Sequence, residues 1–115
     1  MPAKLIQIDS VDHYDALIDE SFDRPVLLLK HSSTCGTSAD ILYQLQEIDA
    51  EIKVIVVQQS RPLSNHVAEK LGHRHHSPQA FIIDKGQTTY HATHYGINRR
   101  EIESKLAVPT ALATV

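Results

Sequence analysis

Three short apolar runs set the limits on what this chain can fold into: Val26–Lys30, Lys53–Gln58 and Gln79–Ile83. Each is nearly continuous rather than alternating, and the second is rich in β-branched residues. Such runs suit strands buried on both faces, the situation of inner strands in a sheet covered by helices on two sides. The segments between them carry a helical period. Ser10 is placed to cap a helix from Val11 to Ser21, with Tyr14, Leu17, Ile18 and Phe22 close to one face. Cys35 to about Ile48 places Ile41, Leu42, Leu45 and Ile48 on one stripe. A third helix starts at Ser60-Arg61-Pro62, carries Leu63, Val67 and Leu71 at four-residue spacing, and stops at Gly72.

Around this centre, Leu5–Ile8 reads as a short strand. Asp84-Lys85-Gly86-Gln87 reads as a tight turn, and Thr88–Thr93 returns antiparallel. Asn98 caps a last helix through about Leu106. The stretch from Val108 to Val115 lacks a period and is expected to be poorly ordered. The resulting order is β-α-β-α-β-α-β-β-α. Strand–helix alternation predicts parallel strands with right-handed crossovers, and the closing hairpin adds an antiparallel edge. The expectation is one α/β domain over residues 1–107, a central mixed sheet of about five strands flanked by about four helices, and a short tail over 108–115.

Composition narrows the class of function. Acidic residues outnumber basic ones, 14 to 11, for a net charge of −3. That balance argues against nucleic acid or an anionic membrane as the main partner. The apolar runs are far too short to span a bilayer, and the first residues are too polar for a signal-peptide core. There is one cysteine, so no internal disulfide can form, and a cytoplasmic location is expected.

That cysteine, Cys35, lies where the first apolar run gives way to the second helix. A thiol at a helix N-terminus faces free backbone N–H groups and the positive end of the helix dipole, both of which favour the reactive thiolate. Ser38 sits one turn further on, and a Ser-Pro pair, Ser77-Pro78, precedes the third apolar run. His31 and His76 flank these segments and could stabilise the thiolate or carry a proton.

The element order resembles that of thioredoxin-like domains. In such proteins the reactive cysteine opens the helix after the second strand, the position three residues on is Cys or Ser, and a cis-proline precedes the fourth strand. Several separated stretches are similar to the monothiol bacilliredoxin family: Lys30-His31-Ser32-Ser33-Thr34-Cys35, Leu63-Ser64-Asn65-His66-Val67, His75-His76-Ser77-Pro78-Gln79, Gly86, and His91-Ala92-Thr93-His94-Tyr95. The resemblance spans about Lys4 to Leu106. The family's usual motif is Thr-Cys-Pro-Ile-Ser, whereas here it is Thr34-Cys35-Gly36-Thr37-Ser38.

The resemblance implies a monothiol thiol–disulfide oxidoreductase. Cys35 would act as nucleophile with Ser38 beside it, and Thr34, Gly36, Thr37, Ser77 and Pro78 would form the substrate-binding surface. Thr34, Thr37 and Ser38 could donate hydrogen bonds to the sulfur. Its co-substrate would be a low-molecular-weight thiol of the bacillithiol type, with no tightly bound cofactor. Its partners would be S-thiolated client proteins and a reductase, and the chain would be a monomer or a weak homodimer. Without a second cysteine, an external thiol must regenerate Cys35.

A second class of function uses the same site without catalysis: a metal or iron–sulfur binding module of monothiol-glutaredoxin type. The cluster His73-Arg74-His75-His76 invites that reading, but its spacing matches no closed zinc motif, so no metal ligand is assigned. A third reading is a thioredoxin-fold adaptor with an unreactive thiol.

Overall fold

The computed structural model describes the backbone of residues 2–113 and side-chain environments through residue 106. Five strands and four helices appear in the expected order: β1 Lys4–Gln7, α1 Val11–Glu20, β2 Val26–His31, α2 Gly36–Leu45, β3 Glu51–Val56, α3 Arg61–Leu71, β4 Gln79–Asp84, β5 Gln87–Thr93 and α4 Arg99–Ala113. The strands form one sheet in the order β1-β3-β2-β4-β5. β1 and β2 lie parallel to β3, β4 runs antiparallel to β2, and β5 antiparallel to β4.

The apolar runs are central because both of their faces are covered. Along β2, Leu27 and Leu29 face a layer containing Ile41 and Leu45 of α2 and Ile102 of α4. Val26 and Leu28 face the opposite layer, with Tyr14 and Leu17 of α1 and Leu63 and Val67 of α3. Successive strand residues point to opposite faces, so a strand with a helix layer on each side has no polar face to show.

The capping signals are used as their chemistry suggests. The Ser10 side chain accepts from the His13 N–H at the start of α1. Asn98 Oδ1 accepts from the Glu101 N–H at 3.0 Å and caps α4. Gly72 ends α3 in the left-handed region at φ 71°. The hairpin turn places Lys85 and Gly86 at φ 53° and 77°. Buried Ser21 pins this turn: its carbonyl accepts from the Lys85 N–H and its hydroxyl from the Gly86 N–H.

Five expectations need correction. Strand–helix alternation predicts β4 parallel to its neighbours, but β4 runs antiparallel to β2, because the chain leaving α3 through residues 72–78 enters the sheet at the end where β2 finishes, with Gln79 opposite Lys30. Cys35 precedes α2 as its cap rather than joining it, and α2 stops at Leu45, though Ile48 still reaches the core through the following turn. β3 begins at Glu51, two residues early, because its partner β1 offers a ladder from Lys4. Phe22 is 59% exposed and covers Gly86 instead of entering the core. α4 continues to Ala113 rather than ending near Leu106. Pro109 withholds one N–H from the ladder, which costs a bond without stopping the helix. Residues 114 and 115 of the expected tail lie outside the described residues.

Candidate active site

Sheet topology brings three loops to one end of the molecule. β2 pairs antiparallel with β4, with Lys30 opposite Gln79, so the C-terminal end of β2 lies beside the N-terminal end of β4. Gln79 also pairs with Thr93, at the C-terminal end of β5. The Cys35 segment, the Ser77-Pro78 segment and a short 3-10 turn at His94–Gly96 therefore meet. The strand runs alone bring Cys35 and Pro78, far apart in sequence, into the same neighbourhood.

Cys35 is the N-cap residue of α2, with extended backbone at φ −105° and ψ 124° and partial exposure. Its thiol is held below the ordinary thiol range. The main cause is the Ser38 backbone N–H; desolvation opposes it, and the Ser38 hydroxyl, the Thr37 N–H and the Thr37 hydroxyl add to it. Ser38 is fully buried, and its Oγ accepts from the Ser32 N–H at 3.2 Å. With that lone pair engaged by the loop, the hydroxyl proton is free for the sulfur. Ser38 thus holds the loop and acts on the Cys35 thiol at once. Gly36 is exposed at the first helical position, and a Cβ there would meet nothing within 4 Å.

Thr34 sits apart from this arrangement. Its Oγ1 accepts from Gln58 Nε2 at 3.1 Å and lies 3.4 Å from Ser32 Oγ. Gln58 also donates to Ser32 Oγ at 2.6 Å, and its Oε1 accepts from the Ser33 N–H at 3.1 Å. The Thr34 hydroxyl belongs to that network, and Thr34 is not among the groups that act on the Cys35 thiol. Gln58, just beyond β3, is therefore a loop-shaping residue that sequence reasoning missed. Its one sequence signal is a polar residue ending a buried run.

The Ser77–Pro78 bond is cis. Pro78 is buried and Ser77 half-buried. The Pro78 carbonyl accepts from the His94 N–H at 2.9 Å, while the backbone groups of Ser77 enter no hydrogen bond among the described residues. They are available to an extended chain laid alongside.

The histidines do not converge. His73 stacks on His91 at 3.8 Å between ring centroids, and His76 meets His94 edge-on at 5.5 Å. His75 Nδ1 lies 3.0 Å from Ser64 Oγ and 3.3 Å from Lys30 Nζ. Among the described residues no group of three or more His, Cys, Asp or Glu is placed to hold a metal ion. Burial lowers the His31 pKa, and its Nδ1 is buried without a hydrogen-bond partner among the described residues.

Tyr95 is a second residue that sequence reasoning passed over as a site member. It is 65% exposed, and its phenol donates to Asp40 Oδ2 at 2.8 Å. The Asp40 contact raises its pKa, the Thr37 hydroxyl acts in the opposite direction, and the charge on Cys35 reaches it as well. Its signals were an aromatic in a short loop after a strand and its place in the family-like stretch His91–Tyr95.

A thiol with a lowered pKa at a helix N-cap position, a serine one turn on and a proline loop at the same end of the sheet define a thiol-redox protein of the thioredoxin fold. The chain belongs to the family described as monothiol bacilliredoxin BrxC, whose family model matches residues 6–102. A solved chain described as a candidate oxidoreductase with a thioredoxin fold is 35% identical, with a TM-score of 0.79, over 87% of this chain and 91% of that one. Thioredoxins share the fold at lower identity. That of Fasciola hepatica is 15% identical, with a TM-score of 0.67, over 89% and 96% of the two chains. That of Nicotiana alata is 15% identical, with a TM-score of 0.69, over 91% of each.

Proposed function

We propose that this chain is a monothiol thiol–disulfide oxidoreductase that takes a low-molecular-weight thiol of the bacillithiol type from protein mixed disulfides. The observation that carries the reading is Cys35 at the start of α2, its sulfur faced by the N–H groups and hydroxyls of Thr37 and Ser38. In the first step the Cys35 thiolate attacks the small-thiol sulfur of the mixed disulfide in line. A new disulfide forms between Cys35 and the small thiol, the old one breaks, and the client leaves as a thiolate. In the second step an external thiolate attacks the Cys35 adduct, releasing Cys35 as thiolate and a low-molecular-weight disulfide for a reductase.

The surrounding residues have distinct parts. Ser38 and Thr37 stabilise the negative charge on the sulfur both before attack and when Cys35 leaves. Gly36 leaves the face beside the sulfur open, and Thr34 shapes the loop through Gln58. Ser77 offers its free N–H and C=O to an extended client segment, in the manner of an added strand, with Pro78 as the wall behind it. No tightly bound cofactor takes part. The protein would work in the cytoplasm as a monomer or weak homodimer. No described helix is long and apolar enough to cross a membrane.

The test is intact-mass measurement after exposure to a panel of small disulfides, including oxidised bacillithiol. The expected result is one adduct per chain, absent in Cys35→Ser and formed fastest with the bacillithiol probe. A chain that forms no adduct with any member of the panel would overturn the reading.

A further inference from the structure

The 3-10 turn His94–Gly96 is bonded both to the Pro78 loop and to α2, the two segments that meet at the Cys35 end of the sheet. Its first residue donates a backbone N–H to the Pro78 carbonyl at 2.9 Å. Its second reaches across to α2, where the Tyr95 phenol donates to Asp40 Oδ2 at 2.8 Å. The residue between sulfur and phenol is Thr37, whose hydroxyl acts on both groups. Tyr95 is largely exposed, so core packing does not explain its position. Its two neighbours do: one end of the turn is fastened to the proline loop and the other to the active-site helix.

We propose that Tyr95 is a positioning residue that sets substrate class at Cys35: bonded to Asp40, it fixes the spacing between the Pro78 loop and the start of α2, and so favours disulfides carried on an extended polypeptide over free small disulfides. This inference rests on the thiol-exchange reading above. A free small disulfide needs only the sulfur and room for in-line approach, which a looser spacing still provides. A polypeptide must satisfy two constraints together. Its backbone pairs with Ser77 while its disulfide stands in line with Cys35. Rates of such two-point reactions fall steeply when the fixed groups drift by an ångström.

The test uses the full chain and two probes that transfer the same 2-hydroxyethylthio group to Cys35. One is bis(2-hydroxyethyl) disulfide. The other is a short peptide whose single cysteine carries a 2-hydroxyethylthio group. Formation of the Cys35 adduct is followed by mass in wild type, Tyr95→Phe and Asp40→Asn. Tyr95→Phe should slow the peptide reaction about tenfold and change the small-disulfide reaction by less than about twofold. Asp40→Asn, which keeps an oxygen acceptor for the phenol, should fall between wild type and Tyr95→Phe. Equal slowing with both probes would mark a general structural role and overturn the proposal, as would no slowing with either. A wild-type chain inert to both probes would instead overturn the exchange reading itself.

Discussion

Ser38 is bonded on both sides of its hydroxyl, to the Ser32 N–H and toward the Cys35 sulfur, and its burial leaves no water to substitute. Ser38→Ala should therefore slow alkylation of Cys35 by iodoacetamide near pH 7 by roughly three- to tenfold, the scale of one hydrogen bond. The pH–rate profile checks the cause. Only the thiolate reacts, so in wild type the rate falls as pH drops through a midpoint below that of a free thiol. In Ser38→Ala that midpoint should move up while the rate at high pH stays the same. An unchanged midpoint would mean the hydroxyl serves the loop alone. The Ser38 contact was legible from the spacing of the motif. The diversion of Thr34 to Gln58 was not, because Gln58 arrives from β3, 24 residues away.

The first turn of α2 and the β4–β5 hairpin each turn on a glycine, with opposite consequences. Gly36 is the first helical residue, its surroundings are open, and Cys35 before it already has the extended backbone that a following proline demands. Gly36→Pro should stabilise the fold by about 0.5–1 kcal/mol, by removing freedom from the unfolded chain. Gly86 has φ +77°, and a Cβ there would lie 3.2 Å from Phe22 Cζ. Gly86→Ala should cost about 1–2 kcal/mol, the penalty for a side chain in the left-handed region. Denaturant midpoints read both changes, and a destabilised Gly36→Pro or a neutral Gly86→Ala would contradict the account. The turn was legible in Asp84-Lys85-Gly86-Gln87. The role of Phe22 was not, since helical periodicity assigns it to the core face of α1.

Among the described residues, one of the large fully buried side chains is a lysine. Lys30, the penultimate residue of β2, lies on the α3 face, where Nζ donates to the Ser64 carbonyl at 2.9 Å and meets His75 Nδ1. Desolvation lowers its pKa to about 8. The unfolded chain would hold that proton to about 10.4, so between these values folding releases a proton. Stability from this group therefore rises with pH across that window and is a constant cost below it. The raised pKa values of Tyr14 and Tyr90 work the other way above pH 10, where the unfolded chain loses its phenol protons first. Wild type should accordingly gain stability relative to Lys30→Met between about pH 8 and pH 10, measured by urea unfolding at several pH values. A constant difference across that range would show that the amine does not titrate there.

The sequence by itself determined the elements and the place of the lone thiol. Unbroken apolar runs can be satisfied only as inner strands, amphipathic stretches only as helices lying over them, and a lone cysteine between the two lands at a helix start. These are properties of short windows, readable where the chain interacts with itself locally. The tertiary structure decided everything that depends on register between distant segments. Pairing Lys30 with Gln79 and Gln79 with Thr93 is what brings Cys35, Pro78 and Tyr95 to one end. It also buries Lys30 and holds Gln58 against Thr34. No local pattern encodes such meetings, because each is set by how β2, β3, β4 and β5 align across the sheet.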